Sequence, residues 1–203
     1  MEIKDITFDD KKELFVIKFD KSTLNASYNL YNQLNLSKGK ILNDEEFSKL
    51  KDFNDYNVNF SKALNFISYR IRSKKEVYTK LKKEDVPEEH IDKIISKLEE
   101  DEYINDYRFA KAFFESKTRI NKWSNKRIEY ELIQKGISKD IINEFSLNFK
   151  EIEFENAKDL AEKKLPQWER KFDGFKLKNK IYTFLSSKGF DYNTIERVLG
   201  ELL

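Results

Sequence analysis

Of the side chains that ordinarily do chemistry, this chain carries few. Its 203 residues include one histidine, His90, and no cysteine. A site built on several imidazoles, a thiolate metal site, a disulfide framework and a cysteine nucleophile are therefore all excluded. His90 follows Glu88 and Glu89 in a helix-start segment with no nucleophile pattern around it, and reads as a surface or capping residue. The acidic pairs Glu45-Glu46 and Glu99-Glu100 are adjacent in sequence, so they read as solvated helix faces rather than metal ligands. The five glycines are scattered singly, so no phosphate-cradling loop is present. The reading is of a protein that binds, not an enzyme, and it calls for no cofactor and no metal.

The chemistry that does stand out is cationic. The net charge is only +2, but the charge is unevenly placed. Arg70, Arg72, Lys74, Lys75, Lys80, Lys82 and Lys83 cluster with Glu76 as the one acid among them. Lys117, Arg119, Lys122, Lys126 and Arg127 form a second cluster that lacks acids between Lys117 and Arg127. Lys163, Lys164, Arg170, Lys171, Lys176, Lys178 and Lys180 form a third, interrupted by Glu169 and Asp173. Such clusters suit phosphates or the acidic patches of a partner. Any one of them is as well explained as a solvated face of a lysine-rich chain. Nothing here reads base edges, so DNA binding is expected to be sequence-independent. Trp123 and Trp168 lie within the basic segments, where they can stack on bases or, the favoured reading, pack across a module boundary.

The elements that must position these clusters repeat. Ala63, Ala110 and Ala157 lie 47 residues apart, each followed three residues later by an apolar partner, Phe66, Phe113 or Leu160. Val77 and Leu81, Ile128 and Leu132, and Ile181 and Leu185 are i, i+4 pairs that share one helix face. Ten residues beyond Leu81, Leu132 and Leu185 come Ile91, Ile142 and Ile195. These open third helices marked by Ile94, Ile95 and Leu98; by Phe145 and Phe149, with Ser146 in an apolar slot; and by Val198, Leu199 and Leu202. Ser73 with Glu76 forms a capping box, and Ser124 holds the same slot. Pro87, Ser138 and Asp191 stand before the third helices. Gly136 and Gly189 stand where the second helices reverse, while the first copy has Asp85 and must turn differently. Fixed-period self-similarity of this kind marks a repeat architecture, and all three basic clusters occupy the same part of it.

We therefore expect a mainly α fold of three tandem three-helix modules, at 59–103, 104–150 and 151–203, in an elongated array. The first-to-second-helix link of the third module, carrying Pro166, Trp168 and Gly174, is expected to be the longest irregular loop. Before the modules, residues 1–58 form an extension with a β-hairpin, Ile3–Phe8 and Leu14–Phe19 around Asp9-Asp10-Lys11-Lys12, and short helices at Tyr28–Leu34 and from Asp44 to Phe53. Asp106 is expected to cap the helix that follows it, and Asn59 has the same offset from Ala63. Tyr103 and Phe109 are expected to close the junction between the first two modules, and Arg108 to pair with an acid or face a partner. The N-terminus lacks a signal-peptide pattern, and no apolar run approaches the roughly 20 residues that span a bilayer, so a cytoplasmic monomer with no membrane contact is expected.

Three strings on this lattice carry a family resemblance. Arg70-Ile71-Arg72-Ser73-Lys74-Lys75-Glu76-Val77, then Tyr103-Ile104-Asn105-Asp106-Tyr107-Arg108-Phe109-Ala110, then Glu131-Leu132-Ile133-Gln134-Lys135-Gly136-Ile137 resemble, in order, segments of the RecX proteins. The motif residues are Tyr103, Asp106, Arg108, Phe109 and Ala110. Asn105, Glu102 and Glu84-Asp85 depart from the family pattern at turn or cap positions. The resemblance implies a curved array that binds the RecA–DNA filament and opposes its growth, ATP hydrolysis, strand exchange and coprotease activity in the SOS response. It also implies direct binding of single- or double-stranded DNA by some members. The competing reading is a sequence-independent DNA-binding helical module that acts without the recombinase; a third is a scaffold for an unrelated protein.

Overall fold

The computed structural model describes residues 1–203, except for the side chains of Ser146, Leu147 and Asn148; the reading of Ser146 as a polar substitute lies outside the described residues. Contacts divide the chain into two units, one of residues 1–70 and 78–98, the other of 71–77 and 99–203. The fold is mainly helical, with a small antiparallel sheet at its N-terminal end.

In the first unit the expected hairpin forms from β1 (Asp5–Asp9) and β2 (Leu14–Lys18), with Ile6 opposite Ile17 and Phe8 opposite Phe15. A third strand that was not expected, β3 (Thr23–Ala26), pairs with β2. It is four residues long, and its buried Leu24 and Ala26 alternate with the polar Thr23 and Asn25, too short a run for periodicity to separate from a turn. Ile17, Leu24 and Ala26 join Ile3, Leu34, Leu36, Leu42 and Leu50 in one core. That core is closed by Leu30 and Tyr31 of α1 (Tyr28–Gln33) and by Phe47.

Helix α2 (Asp44–Ser68) runs unbroken for 25 residues, opened by a full capping box between Asn43 and Glu46. The short helix expected from Asp44 and the first helix of the first module are thus one. Asn59 caps nothing: it lies inside α2, buried, with its Oδ1 accepting from Lys62 Nζ at 3.2 Å. After α3 (Lys74–Lys82), α4 (Glu88–Glu100) presents Ile91, Ile94, Ile95 and Leu98 as a fully buried stripe. The same turn buries His90, which is 4% exposed. This corrects the surface reading, since its Nε2 lies 2.8 Å from Asp52 Oδ1 and Tyr56 meets its ring edge-on.

The second unit holds α5 (Asp106–Arg119), α6 (Asn125–Gln134) and α7 (Lys139–Asn148), followed by α8 (Lys150–Glu162), α9 (Leu165–Glu169), α10 (Gly174–Ser187) and α11 (Tyr192–Leu202). Phe109, Ala110, Phe114, Ile128, Leu132, Ile142 and Phe145 form one core. Phe154, Ala157, Ala161, Trp168, Leu177, Ile181, Leu185, Ile195, Val198 and Leu199 form the next. Every apolar position used to find the repeat is buried or half-buried. The link expected to be irregular instead folds its Pro166 and Trp168 into α9, with Pro in the first turn, where its missing N–H costs nothing.

All three second helices end by the same closure. Val86, Ile137 and Phe190 donate to the carbonyls of Leu81, Leu132 and Leu185, the 6→1 bond of a Schellman turn. The residue before each takes a left-handed backbone: Gly136 and Gly189 at φ +83° and +89°, Asp85 at +55°. The first copy therefore turns the same way as the others. An aspartate is among the few non-glycine residues that tolerate that region.

Candidate functional site

The basic residues singled out from the sequence fall into two groups by how they are held. In the first unit Arg70 and Lys83 are exposed, and Lys82 Nζ bonds Tyr78 Oη at 3.0 Å and lies 3.5 Å from Glu88. In the second unit, several cations are tied to the scaffold. Lys74 pairs with Glu99 at 2.8 Å. Lys122 and Lys163 converge on Asp159, whose carboxyl they hold below its usual range. Lys178 pairs with Glu196 at 3.4 Å. Lys117 from α5 and Arg127 from α6 lie 4.7 and 4.0 Å from the Trp123 ring. Trp123 is thus a half-buried platform already covered by cations.

Arg119, Lys126, Lys164, Arg170, Lys171, Lys176 and Lys180 are exposed and make no ion pair among the described residues. Six of them lie in or beside the link between the first and second helices of their modules, and Lys180 lies about two turns inside α10. These side chains, like Lys83 in the first unit, are free to meet an external anion without first breaking an ion pair. Arg72 is half-buried and Lys75 exposed, and the stem of Lys75 packs beneath Gly136.

Successive second helices meet at a junction built twice from the same parts. At the first, Ser73 Oγ accepts from Glu76 N at 3.2 Å and donates to the Lys135 carbonyl at 2.8 Å. At the second, Ser124 Oγ accepts from Arg127 N at 3.4 Å and donates to the Lys188 carbonyl at 3.1 Å. One hydroxyl so caps the N-terminus of one helix and satisfies the last carbonyl of its counterpart one module on. Both serines are fully buried. A Cβ on Gly136 would come within 2.7 Å of Lys75 Cβ, and one on Gly189 within 2.7 Å of Ser124 Oγ. Glycine is needed there for closeness as well as for turning.

A carboxylate from the following module completes each junction. Asp106 Oδ1 accepts from Lys74 N at 2.8 Å, and Glu153 Oε1 accepts from Asn125 N at 2.9 Å. Each binds the first N–H of a helix, where negative charge is favoured. Burial pushes both carboxyls up, against the pull of those N–H bonds. Glu153 is only 6% exposed and is pushed to about 7, with Asp191 and Glu129 adding repulsion.

Asp106 therefore does not cap α5. That cap is Asn105, whose side chain accepts from Arg108 N at 3.0 Å, so Asp106 is released to bind Lys74. Phe109 is buried in its own module's core, stacked on Phe113, and Ala110 lies beside it. Tyr103, 59% exposed, closes no core. Arg108 bonds the carbonyl of Glu102, whose carboxylate is 4.0 Å away. Trp168 is buried in the last core. Sequence reasoning missed Lys135 and Lys188 as junction residues, although the Lys-Gly pair recurs at 135–136 and 188–189. It also missed Arg197, which grips Glu151 through two bonds of 2.9 and 2.7 Å while covering Phe154.

Among the described residues no group of acids, histidine or cysteine is placed to hold a metal ion, and no helix is long and apolar enough to cross a membrane. Residues 60–98, 105–144 and 151–199 match the first, second and third three-helix domains of RecX, respectively. The regulatory protein RecX of Finegoldia magna is 37% identical over 98% of this chain and 99% of its own length. That of Clostridioides difficile is 36% identical over 96% and 91%. A crystal structure of RecX from Lactobacillus salivarius superposes with a TM-score of 0.68 at 31% identity, covering 73% of this chain and 96% of that one. A second RecX crystal structure covers 98% of this chain with a TM-score of 0.79 at 24% identity, and so shares its fold. The chain belongs to the RecX family of regulatory proteins.

Proposed function

We propose that this protein regulates recombination and DNA repair by binding the RecA–DNA filament and inhibiting its growth, ATP hydrolysis, strand exchange and coprotease activity. The observation that carries the reading is end-to-end membership of the RecX family, joined to free cations that recur in the same link of successive modules. In this reading the protein is a cytoplasmic monomer without enzymatic activity. Its modules are 59–103, 104–150 and 151–203, and residues 1–58 form an extension. Each link contributes a weak, salt-sensitive contact to acidic or phosphate groups, without base-edge readout. Because the links belong to one chain, the contacts combine by effective concentration.

Titrating the protein into RecA that is hydrolysing ATP on single-stranded DNA tests this. Inhibition is expected well below one regulator per recombinase. No inhibition at stoichiometric excess, with the protein alone still binding DNA, would replace the reading with that of a sequence-independent DNA-binding module. The free cations support that second reading, since they need no recombinase to bind phosphate.

A further inference from the structure

The third module carries a helix that the second has no equivalent of. Its first and second helices, α8 and α10, are separated by α9, and α9 packs on both of them. Between α9 and α10 lies a cleft of about 370 Å³ lined by Lys164, Gln167, Trp168, Lys180, Thr183, Phe184 and Ser187. Its floor is aromatic: Trp168 and Phe184 meet edge to face at 5.3 Å, Phe184 being only half-buried. Its rim is cationic. Lys164 and Lys180 make no ion pair among the described residues, and Lys188 Nζ stands 5.8 Å from the Phe184 ring centre. No acid lines it, in a chain with 37 of them. By contrast, the larger cavity at the second junction mixes Glu129, Glu151 and Asp191 with Lys126, Lys150 and Arg197, and Arg197 there is already held by Glu151.

We infer that the α9–α10 cleft is a binding site for one nucleotide of a single-stranded nucleic acid, its phosphate held by Lys164 and Lys180 and its base laid on the Phe184–Trp168 floor. The inference rests on the reading that the chain contacts nucleic acid, and it names where. An apolar floor under unpaired cations fits a ligand that is flat and apolar at one end and anionic at the other. The cleft is near the lower limit of small-ligand pockets, the scale of a single nucleotide. A duplex keeps its bases stacked and cannot offer a free face, so the site selects single strands. The side chains of Gln167 and Thr183 make no hydrogen bond among the described residues and are available to the sugar or base.

The test is fluorescence anisotropy of a labelled oligothymidine of about fifteen residues, with the full chain, Lys164→Ala/Lys180→Ala, Phe184→Leu, and Lys38→Ala/Lys51→Ala as a charge-matched control. The cleft double variant is expected to bind about tenfold more weakly, and its log–log salt slope to be shallower by about 1.4, from two lost phosphate contacts on a single strand. The control should lose less than about twofold. Phe184→Leu, which keeps the apolar volume, should weaken the oligothymidine and leave duplex binding unchanged. Losses equal to the control's, or an oligothymidine and a duplex affected alike by Phe184→Leu, would overturn the site while leaving recombinase inhibition standing. If the unaltered chain fails to bind the oligonucleotide at about 50 mM salt, the site falls together with direct nucleic-acid binding. A phosphopeptide that competes with the oligonucleotide as well as a duplex does would likewise replace the nucleotide as the occupant.

Discussion

Gly189→Ala is expected to lower stability by about 2–5 kcal/mol and to do so by loosening the third module from the second. Two costs add. The backbone at Gly189 has φ +89°, where a Cβ costs roughly 1–2 kcal/mol. The new Cβ would also stand 2.7 Å from Ser124 Oγ. Relieving that contact moves the hydroxyl off the Lys188 carbonyl, to which it now donates at 3.1 Å. Leaving a buried carbonyl without its partner costs about 1–3 kcal/mol. The two residues are coupled, so the cycle with Ser124→Ala is diagnostic. In that background the oxygen that clashes is already absent, and Gly189→Ala should cost only the backbone part, about 1–2 kcal/mol. Urea denaturation of the four proteins measures this, and additive costs would contradict the account of the junction.

Glu153→Gln should remove a pH dependence that the unaltered chain shows between about 4.5 and 7. The Glu153 carboxyl is raised from 4.5 to about 7, first by burial and then by Asp191 and Glu129, against the Asn125 N–H bond and the charge of Lys150. The N-terminal end of α6 favours the anion by about 0.3–1 kcal/mol, less than burial costs it. A group raised in the folded state holds its proton there more tightly than in the unfolded chain. Its contribution is therefore fully present below about 4.5, falls as pH rises toward 7, and is flat above. The whole span is at most about 3 kcal/mol. Glutamine keeps the acceptor for Asn125 N and resembles the protonated acid. The variant should match the unaltered chain at pH 5 within about 1 kcal/mol and exceed it by about 1–3 kcal/mol at pH 8. Denaturation midpoints at the two pH values decide this. A difference that does not change with pH would mean that the carboxylate stays charged at the junction throughout.

The repeat was legible in the sequence because its signals are local. An isoleucine ten residues after each of Leu81, Leu132 and Leu185, and a Gly at two of the three reversals, are imposed by helix period and turn chemistry whatever surrounds them. What was not legible depends on contacts between distant residues. Asn105 and Asp106 are both good caps, and which one serves α5 is settled by Lys74, whose N–H takes Asp106. His90 looked like a surface residue because Asp52, its partner, lies 38 positions away on another helix. Helix α9 was hidden by a proline and a short length, two features that read as loop until Trp168 is seen to enter the core. Asp85 is the opposite case: a missing glycine suggested a different turn, yet the hydrogen bond is the same and only the side chain differs.

The candidate surface was legible as clusters but not as individual roles. The charge runs place cations in the links. Only the structure separates Lys122, Lys163, Lys74 and Lys178, which are consumed by Asp159, Glu99 and Glu196, from those that remain unpaired. An ion pair between exposed side chains contributes little to stability, about 0–1 kcal/mol, but it lowers the charge a link presents. The distinction dictates which residues a test of binding must alter.

That test is the inhibition of RecA ATP hydrolysis on single-stranded DNA by Arg119→Glu/Lys126→Glu/Lys171→Glu/Lys176→Glu, compared with the unaltered chain and with Lys38→Glu/Lys51→Glu, all first shown to unfold at the same urea concentration. None of the four altered residues makes an ion pair among the described residues, and none supplies a hydrogen bond of either junction. The account predicts that the quadruple variant needs at least about tenfold more protein for half-inhibition, a loss of about 1.4 kcal/mol or more. It also predicts that the gap narrows as salt rises, and that the control inhibits as the unaltered chain does. Inhibition unchanged by reversing all four charges would contradict the claim that the basic links are the surface by which this protein meets the filament.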